Sequence, residues 1–382
     1  MAVETTDHPA VEHPAIDTEA RQLLVELVSI PSVSGEETEA AEALAAFFEA
    51  HDREVWIDDI GNVRAPGDDT VLLTSHIDTV PGDIPVEIEH GDDGPELWGR
   101  GSVDATGSLV AMAIAAVETG ASFVGVVGEE STSRGAWYLT DHREPPELII
   151  NGEPSGWDGI TLGYRGLLEG TYVAASESGH HSRPDLNAIQ QAMSWWNRVE
   201  EIFEPDEWVP VFEQVTTKPV DIEGGVSVDG LSMESTMEFQ LRVPPERPPD
   251  EVRELSDAEL DVGTVNWTES IPPVMTSPRT ELARVFRASI RDHGGDPRLL
   301  RKTGTSDMNV FATQWDCEMV SYGPGDSSLD HTPNEHLPLA AFDNAIDVLI
   351  DVCERCGVGD DVASDGAASG DSEAATDAEA AK

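Results

Sequence analysis

Apolar positions recur along this chain of 382 residues with two different periods, and the changes of period divide it. TEARQLLVELVSI and EETEAAEALAAFFEAH repeat every three to four residues and predict two helices. Short apolar runs at EVWID and TVLLTS predict strands, small and apolar residues from Asp104 to Glu118 predict a helix, and further strands are expected near Phe123 and Leu148. Strands alternating with helices predict an α/β layer with a largely parallel sheet.

Beyond Tyr164-Arg165-Gly166 the period falls to two. LLEGTYVAAS, PVDIEGGVSV and SMESTMEFQLRV alternate like half-buried strands, with helical QQAMSWWNRVEEIF and PPDEVRELSDAEL between and after them. This predicts an inserted βαββαβ-like layer over residues 165–275. Helical period returns in RTELARVFRASIRDHG, and the first layer resumes through KTGTSDMNV to a last helix, AFDNAIDVLIDVC. The division expected is a flexible, loosely held polar arm over 1–16, one α/β domain built from 17–164 and 276–356, a smaller α+β domain at 165–275, and a disordered acidic tail over 357–382 whose small residues lack periodicity.

Candidate chemistry sits where the apolar runs end. VLLTSHIDT closes on His76 and Asp78, SFVGVVGEES on Glu129 and Glu130, and ELIINGEPS on Glu153. Asp104 stands at a helix entry, where the dipole favours a carboxylate, and His331 lies in LDHTPNEHLPL. Imidazole nitrogens and carboxylate oxygens are what a pair of zinc-like ions roughly 3.5–4 Å apart requires, with one carboxylate to bridge them and another, not a ligand, for acid-base work. In His76-Ile77-Asp78, the Asp78 carboxylate is expected to accept the second imidazole N–H.

Five ordered motifs, SHIDTVP, GRGSVDATGSL, GEES, NGEPS and LDHTPNEHLPL, resemble those of the dinuclear zinc peptidase and deacylase family that includes aminoacylase, succinyl-diaminopimelate desuccinylase and acetylornithine deacetylase. The resemblance implies a zinc-peptidase-like catalytic domain with a smaller lid and dimerisation domain. It implies two Zn2+, replaceable by Co2+: His76 and Glu153 on one, Glu130 and His331 on the other, Asp104 bridging, and Glu129 as general base. Gly179-His180-His181-Ser182-Arg183-Pro184 is similar to the family's lid motif. There His180, with His181 as its adjacent competitor, would reach a neighbouring subunit's site and stabilise the oxyanion. Arg242 and Arg183 are the guanidinium candidates for a substrate carboxylate. Gly304, Thr305 and Ser306 could hold the substrate's amino-acid end, although a plain helix cap accounts for Ser306 equally well.

NGEPSGWDGITLGYRG and KTGTSDMNVF are similar to the branch of hydrolases that frees lysine or ornithine from an amino-group carrier protein in lysine and arginine biosynthesis. A deacetylase of acetyl-lysine or acetylornithine is the alternative within the class. A non-catalytic, metal-binding dimeric interaction protein is the alternative outside it.

Composition narrows the setting. The formal net charge is −53, and the only lysines are Lys218, Lys302 and Lys382. Acidity spread over the whole chain reads as adaptation to molar salt, where the Debye length of about 3 Å screens self-repulsion, so a salt-accumulating halophile is the expected source. The charge disfavours nucleic acid as a partner. No apolar run approaches the roughly 20 residues of a membrane span, and MAVETTDHPAVEHPAID lacks a basic and an apolar leader region, so a cytoplasmic protein is expected. Cys317, Cys353 and Cys356 are read as small hydrophobic residues.

Overall fold

The computed structural model describes residues 11–92, 94–177, 184–268 and 270–359. Its largest sheet has a parallel centre, in which strand Asp68–His76 lies between Ala121–Val126 and Leu148–Gly152, and Glu318–Tyr322 continues beyond Leu148–Gly152. The flanks are mixed. Val63–Ala65 runs antiparallel to Ala121–Val126, Val274–Met275 runs antiparallel to Gly159–Tyr164, and Arg298–Lys302 pairs in parallel with Gly159–Tyr164. The sheet is therefore mixed where the alternation of elements predicted a largely parallel one.

Residues of the central strands alternate between two apolar cores. Val71, Leu73, Phe123 and Ile150 face the core built with helices Glu19–Val28, Thr38–Ala50, Thr106–Thr119, Glu281–Asp292 and Leu339–Arg355. Leu72, Val124, Val126 and Ile149 face Arg134–Asp141 and Asp307–Gln314 on the other side. A strand covered on both faces must be apolar at consecutive positions, which is why VLLTS reads as a run instead of an alternation. Helix Thr106–Thr119 is buried nearly all round. It packs against both Asp68–His76 and Leu339–Arg355, and its four alanines and Gly107 permit that approach.

The smaller layer follows the order strand, helix, strand, strand, helix, strand that the period-two stretches predict. Gly166–Glu177, Thr216–Val226, Ser232–Val243 and Thr264–Trp267 form one antiparallel sheet, and helices Ala188–Phe203 and Pro249–Ala258 contribute to its core. Leu168, Tyr172, Met237, Phe239 and Leu241 point into that core, so Leu167, Glu169, Gln240 and Arg242 belong to the opposite face. Trp195 is 1% exposed, stacks on Tyr172 at 4.9 Å and donates its indole N–H to the Ser256 carbonyl at 3.1 Å.

Part of the segment read as a loose arm is packed: Val11, Ala15 and Ile16 lie against the main core, and Arg21 donates to the Ala15 carbonyl. Of the tail, residues 357–359 are ordered, with Val358 buried and Gly359 donating to Asp68; residues 360–382 lie outside the described part. The three cysteines are free, and burial pushes the Cys353 thiol up to about 12. Among the described residues no helix is long and apolar enough to cross a membrane.

Replacing Trp195 with alanine removes the centre of the smaller core and its indole hydrogen bond. A loss of about 3–5 kcal/mol is expected, read as a lower denaturation midpoint in molar KCl.

Candidate metal centre

Four parallel strands deliver the candidate residues from one edge of the sheet. His76 ends Asp68–His76, Glu129 and Glu130 follow Ala121–Val126, Glu153 follows Leu148–Gly152, and the loop after Glu318–Tyr322 leads to His331. This is the edge at which open α/β sheets bind ligands. Two glycines allow the approach. Gly128 has φ +76° at the turn into Glu129, where a Cβ would meet Arg134 Nη1 at 2.3 Å, and a Cβ on Gly152 would meet Ser75 Cβ at 2.5 Å.

Asp104 lies between the two histidines. Its Oδ1 is 3.2 Å from His76 Nε2 and its Oδ2 is 3.2 Å from His331 Nε2, so each oxygen faces a different imidazole. His331 Nε2 is also 3.0 Å from Glu130 Oε2. Ligand atoms of His76, Asp104 and Glu130 all lie within 4.8 Å of one another. Glu153 lies outside that tight group, and its buried Oε1 has no partner among the described residues.

The expectation for Asp78 is corrected. His76 Nδ1 donates to the Asp78 backbone carbonyl at 2.8 Å, and the carboxylate oxygen stands 3.7 Å away. That carboxylate is engaged elsewhere. It accepts the backbone N–H groups of Glu129 at 3.0 Å and Glu130 at 3.1 Å, and the Ser34 hydroxyl at 2.6 Å. Asp78 thus holds the Glu129-Glu130 turn, while its main chain orients the imidazole.

Other residues complete the frame without having been singled out in the sequence. Glu335, 1% exposed, accepts N–H groups of Val103 at 2.9 Å and Asp104 at 3.0 Å and pairs with Arg100 at 2.7 Å. The charge pair fixes the loop that carries Asp104. Its signal was available, since Arg100 and Glu335 both fall inside the quoted motifs. Asp307 is buried beside the site, its carboxyl raised to about 7 by burial, with His76 opposing and Asp78 reinforcing the shift.

Burial and mutual repulsion dominate the electrostatics. Glu129 is held well above the usual carboxylate range by burial and then by the charge of Glu153. Glu153 is raised by burial, against the pull of His76. Burial alone would lower His76, but its hydrogen bond to Asp104 and the surrounding acids raise it well above its ordinary value. Burial would raise Asp104, yet hydrogen bonds from His331 and His76 take it below the usual range. Crowded carboxylates, imidazole nitrogens and a buried oxygen without a partner form a donor set that fits divalent cations of the zinc type.

A cavity of about 620 Å³ opens from Glu129, Glu130 and His331 toward the smaller layer, reaching Arg242, Gly304 and Thr305. Arg242 Nη1 donates to the Thr305 hydroxyl at 3.2 Å. Trp137, Leu167, Glu169 and Gln240 also line it. Ser306 is committed as a helix cap: its hydroxyl accepts the Met308 N–H at 3.3 Å and Asn309 completes a capping box, which corrects its reading as a substrate contact. Arg183, His180 and His181 lie outside the described residues.

Residues 72–355 match the sequence profile of peptidase family M20/M25/M40. A relative from Deinococcus radiodurans named LysW-lysine hydrolase is 39% identical over 357 residues, 88% of this chain and 96% of the relative. One from Sulfurisphaera tokodaii named LysW-lysine/LysW-ornithine hydrolase is 32% identical over 344 residues, 88% of this chain and 95% of the relative. The crystal structure of an M20 family metallo-carboxypeptidase from Sulfolobus solfataricus superposes with a TM-score of 0.71 at 18% identity, covering 89% of this chain and 99% of that one, a likeness of fold.

His331 is raised to about 10, chiefly by hydrogen bonds to Asp104 and then Glu130. Below that pH the cation-free protein keeps a proton on His331, which an entering cation must displace. Because His76 and Glu153 are raised as well, loading with Zn2+ is expected to release more than one proton and to tighten as pH rises toward 10. Calorimetry in buffers of different ionisation enthalpy measures this; zinc uptake without proton release would refute it.

Proposed function

The chain belongs to peptidase family M20/M25/M40 and is a hydrolase, and from that premise we propose that it releases lysine or ornithine from the C-terminal glutamate of an amino-group carrier protein. The observation that carries this reading is the near full-length similarity to relatives named for LysW-lysine and LysW-ornithine hydrolysis. The mixed-charge cavity beside the candidate metal centre supports it, because a released amino acid presents a carboxylate that Arg242 can accept.

The ions proposed are two Zn2+, for which Co2+ can substitute. His76 and Glu153 would hold one, Glu130 and His331 the other, and Asp104 would bridge them. Its placement between the two imidazoles supports this assignment. When bound, such ions bring the pKa of a water toward about 7 and stabilise charge on a carbonyl oxygen.

The rest is work for side chains. Glu129, set in place through its backbone N–H by Asp78, takes a proton from the attacking water as the new C–O bond forms. It then passes that proton to the leaving amine as the C–N bond breaks. Its upward shift by burial and by Glu153 makes it a stronger base than an exposed carboxylate. Arg242, backed by the Thr305 hydroxyl, anchors the carboxylate of the departing amino acid. We assign oxyanion stabilisation to His180 of the partner subunit in a homodimer whose lid is the layer over residues 165–275. Arg183, in the same sequence motif, is a second contact to substrate. The reaction belongs to the cytoplasm of a cell that accumulates salt.

Glu129→Gln is expected to lower kcat by about 10²–10⁴-fold with zinc content unchanged. An undiminished rate would remove Glu129 from the mechanism. In molar KCl, carrier-linked γ-glutamyl-lysine and γ-glutamyl-ornithine should turn over faster than acetyl-lysine and acetylornithine. The reverse order would make the protein a small-molecule deacetylase.

A further inference from the structure

The smaller sheet turns one face toward the cavity, and four of its residues form a compact platform there. Gln240 lies directly across from Glu169, and Arg242 directly across from Leu167. All four line the cavity that begins at Glu129. Glu169 and Arg242 are diagonal neighbours, a relation that places backbones roughly 7–8 Å apart. The two ends of an extended lysine, carboxylate and side-chain ammonium, are separated by a comparable span.

Glu169 and Arg242 do not neutralise each other by direct contact. Among the described residues no ion pair joins them. Gln240 Nε2 donates to Glu169 Oε1 at 2.6 Å, which fixes the carboxylate, and among the described residues nothing donates to Oε2. Arg242 meanwhile donates to Thr305, and it senses Glu169 through space. Leu167, Ile271 and Trp137 line the same cavity and offer apolar surface to a methylene chain. One cavity thus holds an anchored cation, an anchored anion and a greasy wall. A neutral or acidic leaving group would leave the Glu169 charge facing the cavity with only the neutral Gln240 amide for company, at a cost in desolvation.

We propose that Glu169, oriented by Gln240, is the specificity-determining residue that accepts the side-chain ammonium of the released amino acid while Arg242 takes its carboxylate. The assignment rests on the function proposed above and deepens it: hydrolysis would select amides of basic amino acids by a charge on the leaving group, not by the acyl group alone. Glu169 holds no proton of the reaction. Its effect should therefore depend on the substrate's charge, whereas a purely structural role would slow all substrates alike.

The test uses the full-length, zinc-loaded protein in molar KCl. γ-Glutamyl-lysine is compared with γ-glutamyl-norleucine, which has the same carbon chain without the ammonium. Wild type should favour the lysine amide by about 10- to 100-fold in kcat/KM, the worth of one charge-assisted hydrogen bond. Glu169→Gln should erase that preference, slowing the lysine amide and not the norleucine amide, which is expected to hold or gain rate as the unpaired charge is removed, since Gln keeps the size of the side chain and can still accept from Gln240. Calorimetric binding of free lysine and norleucine should show the same loss of discrimination without any turnover. If Glu169→Gln changes both amides equally, or neither, the inference is overturned and the proposed function stands. If wild type cleaves neither γ-glutamyl amide but does hydrolyse other acyl amino acids, the proposed function fails and the assignment falls with it.

Discussion

Five carboxylates, Asp104, Glu129, Glu130, Glu153 and Asp307, converge at the edge where the parallel strands end, around two imidazoles among the described residues, and most are withdrawn from water. Like charges at this density oppose folding unless protons or cations intervene. The upward shifts of Glu129, Glu153 and Asp307 are the proton-bound answer to that crowding. A divalent cation is the alternative answer, and His76, Asp104 and Glu130 bring ligand atoms close enough to hold one. Asp78 grips the backbone of the Glu129-Glu130 turn, and the Glu335-Arg100 pair grips the loop of Asp104. Both clamps act on main chain and leave the site carboxylates free. The geometry is thus fixed by groups that need not change when a cation replaces a proton.

The sequence revealed this centre because strand-end positions are punctuated: an apolar run, then a small residue or turn, then the acid or histidine. The smaller layer was equally legible, since a sheet with one buried face writes its period of two into Gly166–Glu177 and Ser232–Val243. The use made of each oxygen was harder to read. HxD spacing suggested a carboxylate-imidazole bond, but the backbone carbonyl of Asp78 lies closer to the imidazole and the carboxylate is claimed by two N–H groups of a turn 51 residues away. Such choices depend on long-range packing that no local pattern encodes. Ser306 shows the converse, because its local capping chemistry prevails. Glu169 was hidden for a third reason: an acid in so acidic a chain carries no signal until strand register shows which face it shares with Arg242.

Basic residues are scarce enough that their placement shows what the fold cannot solve with neutral groups. The chain has 22 Lys and Arg against 75 Asp and Glu. Several of those bases are spent at buried carboxylates or carbonyls. Arg134 forms a bidentate contact with Glu37 behind the Glu129 turn, and Arg100 neutralises Glu335. Glu335 and Glu37 are buried acids that receive a guanidinium, while other arginines pair with exposed acids, as Arg355 does with Asp292 and Arg198 with Asp261.

Arg165 extends that logic to the relation between the two layers. It is 5% exposed, and its guanidinium donates to the Thr303 carbonyl at 2.9 Å on one side and to the Thr216 hydroxyl at 2.9 Å and the Val211 carbonyl at 3.2 Å on the other. Asn309, from the helix capped by Ser306, donates to the Arg165 and Pro272 carbonyls. The chain therefore leaves the main sheet and enters the smaller one through a junction bonded from three directions. Arg242 and Glu169 lie on the strands that begin beyond that junction, whereas Glu129 and His331 belong to the main sheet's edge. The distance from the reacting centre to the cavity's charged platform is set at this junction. A substrate would have to match that distance as well as the charges at its two ends.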